Sequence, residues 1–441
     1  MSIAKAESAR LSAAPQAKWK VVVLASLGGA LEIYDFIIYG VFALEIGKEF
    51  FPKSNPLVSL ISTFSVFAVG YASRPLGGII LSSFGDRFGR RIMLLISVLG
   101  MSVCTVSIGL IPNYATIGIA APMLLVLLRM AQGFFLAGEL PCSITYVVEE
   151  IPKRASFVSG LVIFCLNSGV LLATLISLSL HSSYSASEVM SYGWRLAFIF
   201  GGMIGLLSYW VRTSLDESAA FERMKSHAVR RPFRTILSEF RTQALIGIGI
   251  AAIVNASNNM LFVVLPSYLT GVLHYGAAEV SAGQNIGILT LSGSLLLVAW
   301  LGDRFSSRIL HRIGSLIFLL VTFPLYWAIA EYRIVPLQLF VVIGVIGGLV
   351  NGTYAFLLAD LFPTSVRFSG VGLSLNLTTV VFTGLTPLLV TYLIRETGMN
   401  AAPGVYISLV ALLSLLVGFP LSRHRGRIQA EAVSTQADTV H

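Results

Sequence analysis

"SSFGDRFGRRI", residues 82–92, recurs as "AWLGDRFSSRI", residues 299–309, with Asp86 matched by Asp303 and Arg87 by Arg304. A second echo goes with it. "EEIPKR" at 149–154 and "ADLFPTSVR" at 359–367 each set an acid three residues before a proline, Glu149 before Pro152 and Asp360 before Pro363. Matching loops in the two halves of one chain are the trace of a duplicated unit. What lies between the loops tells what that unit is.

The 441 residues are 56% hydrophobic and 12% charged, with a mean hydropathy of +0.83. A soluble domain cannot hide that much apolar surface, so the chain reads as a polytopic membrane protein. Twelve apolar runs are long enough to cross the bilayer as helices, which takes about 20 residues each. They lie near 21–43, 57–82, 92–111, 119–147, 157–180, 194–212, 243–270, 281–301, 310–330, 335–359, 369–394 and 404–422. Lipid offers the backbone no partner, so such runs are helical, and the alternating short segments of a membrane β-barrel are missing. The longest polar interruption, "RTSLDESAAFERMKSHAVRRPFRTILSEFR" at 212–241, divides the spans six and six. Its mixed charge predicts a short amphipathic helix on the cytoplasmic face. The expected fold is an all-α membrane protein of twelve transmembrane helices in two pseudo-symmetric six-helix bundles. The bundles occupy 19–212 and 243–422, with a linker at 213–242 and polar ends at 1–18 and 423–441.

A net charge of +9 raises the question of nucleic acid. The placement of the charges answers it. Of the 30 Lys and Arg, five (Lys48, Lys53, Arg195, Arg333 and Arg395) fall in one set of loops and two, Arg74 and Arg129, inside spans, leaving 23 on the other side. That bias predicts a cytoplasmic location for both termini. Lys18, Lys20, Arg423, Arg425 and Arg427 then read as topology anchors, and no nucleic-acid partner is expected. Cys104, Cys142 and Cys165 all fall in spans, which predicts neither a disulfide framework nor a metal site. No leader peptide is expected, because the polar residues 1–17 precede a span too long for one.

The first span carries "GALEIYDFIIYG", residues 29–40. Glu32 and Asp35, three apart, share a helical face with Tyr39. At 1.5 Å per residue, Glu32 and Arg74 both lie roughly 18 Å from the loop ends of their spans. Glu139 lies about 15 Å above Glu149 by the same rise, on a stripe with Arg129, Gln132 and Ser143. Each unpaired charge at that depth costs about 2.5–3.5 kcal/mol on insertion scales, so the five groups must face one another or a wet cavity. A cluster that only fixed packing would tend to balance its charge, yet three acids face two bases. The surplus acid is the expected proton carrier. Asp35 or Glu32 restrained by Arg129 is the first choice, and Glu139 with Arg74 is the second pair.

The second half offers amides in place of charges. Asn255, Asn258 and Asn259 stand at i, i+3 and i+4 on the seventh span, and Asn351 and Tyr354 on the tenth. Interhelical hydrogen bonding and substrate binding are both open readings for these asparagines, and Asn376 on the eleventh span leans to the former. Gln284 and Asn285 are expected to be solvated. Candidate substrate contacts are Arg74, Tyr34, Tyr39, Gln132, Asn255, Asn258, Asn259, Asn351 and Tyr354. Asp86, Arg87, Gly89 and Arg90, with Asp303 and Arg304 in the second copy, sit where a breakable charge network could hold one cavity orientation.

"GDRFGRR" resembles the loop signature of the major facilitator superfamily. "LEIYDFIIYG", "SRPLGG" and "RMAQGFFLAGE", in that order, resemble its metabolite:proton symporter branch, which includes proline/betaine, α-ketoglutarate, citrate and shikimate transporters. The resemblance covers residues 19–422. It departs at Ile33, where the branch has Trp, at Leu140, where it has Tyr, and at Ser82, which replaces the opening glycine. It implies alternating access and gating at the signature loop, and points to the same helices for proton coupling.

The expected activity is uptake of a small polar metabolite with proton entry, without a cofactor, by a monomer in a bacterial inner membrane. Arg74, Arg129 and the amides favour an organic acid. A zwitterion such as betaine or proline is second, and a carboxylate-rich metallophore remains open. A proton-driven exporter would share these features, and a sensor without transport would usually carry a larger soluble domain. A membrane enzyme is not expected, since Cys142 and Ser143 lack a nearby base. The short tail after Pro420 lacks heptads, which argues against osmotic gating through a coiled coil.

Overall fold

A computed structural model describes residues 15–51, 63, 65, 66, 69–218, 221, 222, 229, 232–421 and 428. The side chains of Glu32, Lys18 and Lys20, and the anchors Arg423, Arg425 and Arg427, lie outside the described residues. So do residues 219, 220, 223–228, 230 and 231 of the linker.

In the first half, α1 is Pro15–Val41, α2 Arg74–Phe88, α3 Arg90–Leu110, α4 Ala120–Glu150, α5 Ala155–Ser183 and α6 Trp194–Arg212. In the second half, α7 is Arg241–Gly271, α8 Ala277–Gly302, α9 Ser307–Ala330, α10 Pro336–Leu361, α11 Arg367–Thr397 and α12 Ala402–Leu421. Ten of these, α3 through α12, are long and apolar enough to cross a membrane. The outside of the bundle is oily. Trp210, Leu388 and Leu178 are each more than 60% exposed, the reverse of a soluble surface and a match to hydrocarbon.

The halves repeat one another in packing. Within them, α2 lies on α4 and α3 on α6, and in the same places of the second half α8 lies on α10 and α9 on α12. Across the divide, α2 meets α11 and α5 meets α8. The α2–α11 crossing is close because Gly85 lies against the Phe368 ring, where a Cβ would collide.

Two expectations change in detail, and the linker helix gains its bounds. The signature is not a loop throughout, because α2 runs past the expected end at residue 82 to Phe88. Only Gly89, at φ 121°, breaks the chain before α3 begins at Arg90; glycine tolerates that angle and other residues do not. In the linker, a helix forms over Pro232–Glu239 and buries Pro232 and Ile236. Gln284 is not merely solvated. The π-turn Met260–Val264 and Pro266 leave carbonyls without helical partners, and Gln284 Nε2 donates to Leu261 O (3.3 Å) and Phe262 O (3.0 Å). A polar atom from a neighbouring helix thus satisfies backbone freed inside the membrane.

Candidate functional site

Three polar assemblies mark the molecule. We call the end carrying residues 85–90 the signature end.

At that end the halves are locked together. The Asp86 carboxylate accepts from the backbone N–H groups of Phe368 (3.3 Å) and Ser369 (2.8 Å), the opening turn of α11. Helix N-termini hold unsatisfied donors and favour a negative charge. Arg90, wholly buried, bonds Asp86 (3.2 Å) and Glu149 (3.4 Å) and donates to Thr364 O across the divide (2.7 Å). Arg367 reaches back from the second half to Glu149 at 3.1 Å. The second copy uses the same geometry. Asp303 accepts from Ser156 N (2.9 Å) and Phe157 N (3.2 Å) at the start of α5. Arg87 and Arg304, expected in the gate, are instead exposed and stack on Phe88 (5.3 Å) and Trp300 (3.9 Å). One helical position past each aspartate faces away from the partner half.

The linker joins this lock, a role the sequence reading missed. Glu217 accepts from Arg90 N (2.9 Å) and Arg91 N (3.2 Å), capping α3. Burial pushes its carboxyl up, against the pull of those N–H donors and of Ser218 N–H. Ser218 Oγ donates to Glu149 (2.7 Å), and the Phe221 ring lies 4.7 Å from the Arg90 guanidinium. An acid–Ser pair just past a span, in "LDES", was the available signal.

Halfway along the first bundle sit two buried charge sites. Asp35 accepts from Thr105 Oγ1 at 2.6 Å. Gln132 Nε2 donates to the same Thr105 oxygen (2.7 Å), and Arg129 Nη1 donates to Gln132 Oε1 (2.8 Å). Asp35 and Arg129 are therefore linked through two neutral side chains. The Arg129 guanidinium also lies 3.8 Å from the Tyr39 ring centroid. Thr105, polar in an apolar span, carried no charge and was passed over.

The second site corrects a pairing. Glu139 does not meet Arg74; it is bound by Arg212 Nη1 at 2.6 Å, both about 1% exposed. Arg212 also donates to Leu24 O (3.1 Å) and Ala25 O (2.7 Å). It was read as the polar end of its span, but its side chain reaches back into the bundle. A long side chain can leave its own backbone depth.

Between the halves lies a cavity of about 160 Å3. Arg74 lines it from α2 and Asn167 from α5; Asn255, Asn258 and Asn259 line it from α7, Tyr354 from α10 and Asn376 from α11. Among the described lining residues Arg74 is the charged one. Three amides are engaged. Asn255 Oδ1 accepts from Thr379 (3.2 Å) and Thr383 (3.1 Å), Asn258 and Asn351 exchange a reciprocal pair (3.0 and 3.1 Å), and Asn376 donates to Ala137 O across the divide (3.0 Å).

Several expected substrate contacts stand elsewhere. Tyr34 donates to Ala197 O of α6 (2.9 Å), Tyr39 packs under Arg129, and Gln132 belongs to the Thr105 chain. Asn351 is wholly buried behind Asn258. Asp35, Arg129 and Glu139 also stay off the cavity wall, so the two described acids expected around a shared wet vestibule, Asp35 and Glu139, are buried within the first bundle in this conformation.

The sequence model described as Major Facilitator Superfamily matches residues 25–380. The proline/betaine transporter of Escherichia coli (strain K12) is 30% identical over 436 residues, covering 95% of this chain and 86% of the relative. The glycine betaine/proline/ectoine/pipecolic acid transporter OusA of Dickeya dadantii (strain 3937) is 31% identical over 419 residues, covering 90% and 82%. Among solved structures, the proton:xylose symporter XylE bound to 6-bromo-6-deoxy-D-glucose superposes with a TM-score of 0.77 at 16% identity, over 94% of this chain and 98% of that one. FucP in the outward conformation gives 0.67 at 14% identity, over 91% and 98%. With duplicated bundles, a signature lock and a central cavity on one chain, this protein belongs to the major facilitator superfamily and is a secondary transporter, not an enzyme.

Proposed function

We propose that the chain imports a small zwitterion of the proline or betaine kind together with protons, across a bacterial inner membrane. The observation that carries the substrate class is the cavity wall. Among its described residues it offers one cation, Arg74, for a carboxylate, and amides and the rings of Tyr71, Phe262 and Tyr354 for the other end. Aromatic faces attract ammonium groups without needing a counter-acid. The printed names of the bacterial relatives support the same class. At about 160 Å3 the cavity falls below the 300–1,000 Å3 common for drug-sized ligands, which suits a small solute.

Both termini lie in the cytoplasm in this reading, following the 23 cations on one side, and the signature end is then the closed cytoplasmic gate. The proton site is Asp35. Its carboxylate accepts from Thr105; once protonated it can donate to that hydroxyl, which then turns its own hydrogen to Met101 O, 2.9 Å away. Arg129 acts on it through Gln132 and Thr105. Glu139, neutralised by Arg212, is the lesser candidate, and Glu32 rests on the sequence alone. Coupling requires that proton and solute favour the same conformations.

Purified protein in proteoliposomes with an imposed inward proton gradient tests this. Labelled proline or glycine betaine should accumulate, and Asp35→Asn should abolish accumulation while sparing exchange of labelled for unlabelled solute. Accumulation by Asp35→Asn at the wild-type level would refute the proton assignment. An organic acid remains the second reading because Arg74 is the described charge in the cavity, and accumulation of citrate or α-ketoglutarate in place of zwitterions would establish it. Proton-driven efflux of the solute would establish an exporter.

A further inference from the structure

We propose that Asn167 on α5 and Asn259 on α7 are the specificity-determining contacts of the cavity, Asn167 donating to the solute's carboxylate and Asn259 accepting from its ammonium N–H. The assignment rests on the zwitterion reading above and goes beyond it by naming which atoms read which end.

The cavity's asparagines fall into two groups. Asn255, Asn258 and Asn376 spend their amides on hydrogen bonds to Thr379 and Thr383, to Asn351 and to Ala137 O. Asn167 and Asn259 do not. Each is more than nine-tenths buried, at 1% and 8% exposure, and each lines the cavity. Among the described residues, Asn167 Nδ2 and Asn259 Oδ1 have no hydrogen-bond partner. A buried amide left unsatisfied is costly, and most buried polar groups in folded proteins are paired. Two such groups on the wall of one cavity are what a solute with a donor and an acceptor would complete.

A carboxamide can turn end for end, so the surroundings decide which end each one reads. Asn167 shares the first-half wall with Arg74, where a carboxylate is drawn. The second-half wall has no described cation and presents Asn259 with the Phe262 and Tyr354 rings, where an ammonium belongs. A solute held this way touches both bundles, so its binding can bias their rocking. A quaternary ammonium has no N–H to give Asn259 and must rely on the rings alone.

That difference supplies the test. Binding of L-proline and of N,N-dimethyl-L-proline is measured by isothermal calorimetry on purified full-length protein. Asn259→Ala should weaken proline about tenfold and the dimethyl compound less than twofold, whereas Asn259→Asp, which keeps an acceptor, should retain proline. Asn167→Ala should weaken both about tenfold, since both carry the carboxylate. Melting of each ligand-free variant, followed by tryptophan fluorescence, separates lost contacts from lost folding. Equal losses for the two probes in Asn259→Ala, or no loss in Asn167→Ala, would overturn the assignment while leaving the zwitterion reading in place. Failure of the wild type to bind either probe would overturn both.

Discussion

The two copies of the signature close on each other with one geometry and different chemistry. In both, an aspartate at the end of a helix, Asp86 or Asp303, takes the first free N–H groups of a helix in the opposite half. Beyond that they part. The first copy has Arg90, fully buried and shared between Asp86, Glu149 and Thr364 O, with Arg367 returning the contact from the other side. The second has Ser307 in the matching place, which donates to Ser156 Oγ at 3.3 Å. Its Arg308–Asp360 pair, at 2.8 Å, stays within its own half and leaves the arginine 20% exposed. The first copy is thus a lock across the divide with a buried cation at its centre, and the second an aspartate–helix contact with a local brace.

Breaking each copy should expose that difference. Removing one member of a buried ionic network strands the rest and costs about 3–5 kcal/mol, so Arg90→Ala should cause the largest loss of melting temperature and of transport. Arg308→Ala, at a partly exposed pair, should cost about 1 kcal/mol or less. Tryptophan-fluorescence melts of the two variants compare them directly. Equal losses would mean that the copies are mechanically alike.

The same contrast, charges in one half and neutral groups in the other, runs through the two cores. Glu139–Arg212 belongs to the first. Arg212→Met leaves the Glu139 carboxylate buried without its cation and should cost about 3 kcal/mol. Glu139→Gln should cost less, because Arg212 keeps the carbonyls of Leu24 and Ala25. The double variant should recover part of the Arg212→Met loss, as expected for coupled neighbours. Additive losses in the melts would show the pair to be independent.

These cases mark how far the amino-acid order could be read. Helix number, the six-and-six division and the duplicated loops all follow from hydropathy and repetition, which are properties of single segments. Asp35, Arg129 and Glu139 were recognisable as buried because a charge in an apolar span has no bland surroundings. Their partners were not recognisable, since helical spacing gives a face but not the neighbour it meets. Arg212 was hidden by its place at a span's end and the length of its side chain. Thr105 and Asn167 were hidden by being uncharged, so nothing in the insertion energy singled them out. Glu217 and Ser218 lay in a segment read only for its overall charge.

A smaller effect probes the second copy by pH. Burial pushes the Asp303 carboxyl up to about 6, against the pull of the Ser156 and Phe157 N–H groups and of Arg154. The folded state therefore holds this proton more tightly than the unfolded chain, whose aspartates titrate near 3.9. Ionisation then favours unfolding, and this group's contribution falls as pH rises from about 4 to about 6 and is level above. Asparagine mimics the protonated form. Asp303→Asn should match the wild type near pH 3.5 and melt higher above pH 6.5, by about 1 kcal/mol once solvent screening is counted. A difference that is constant across that range would show that the carboxyl does not titrate in the window.

The smallest expected effect lies in the second core, where Asn258 and Asn351 exchange two hydrogen bonds. Hydrogen bonds between membrane helices are worth about 0.6 kcal/mol on average, so neither residue should approach Arg90. Their order can still be argued. Asn351 is fully buried, and its other bond is to Gly347 O at 2.9 Å. Asn258→Ala would leave the Asn351 carbonyl oxygen buried and unmet, which costs more than a bond merely exchanged. Asn351→Ala instead leaves Asn258 on the cavity wall, where water can take the lost place. Asn258→Ala should therefore lower the melting temperature more than Asn351→Ala, and the reverse order would mean that packing around Asn351, not its amide, holds α7 to α10.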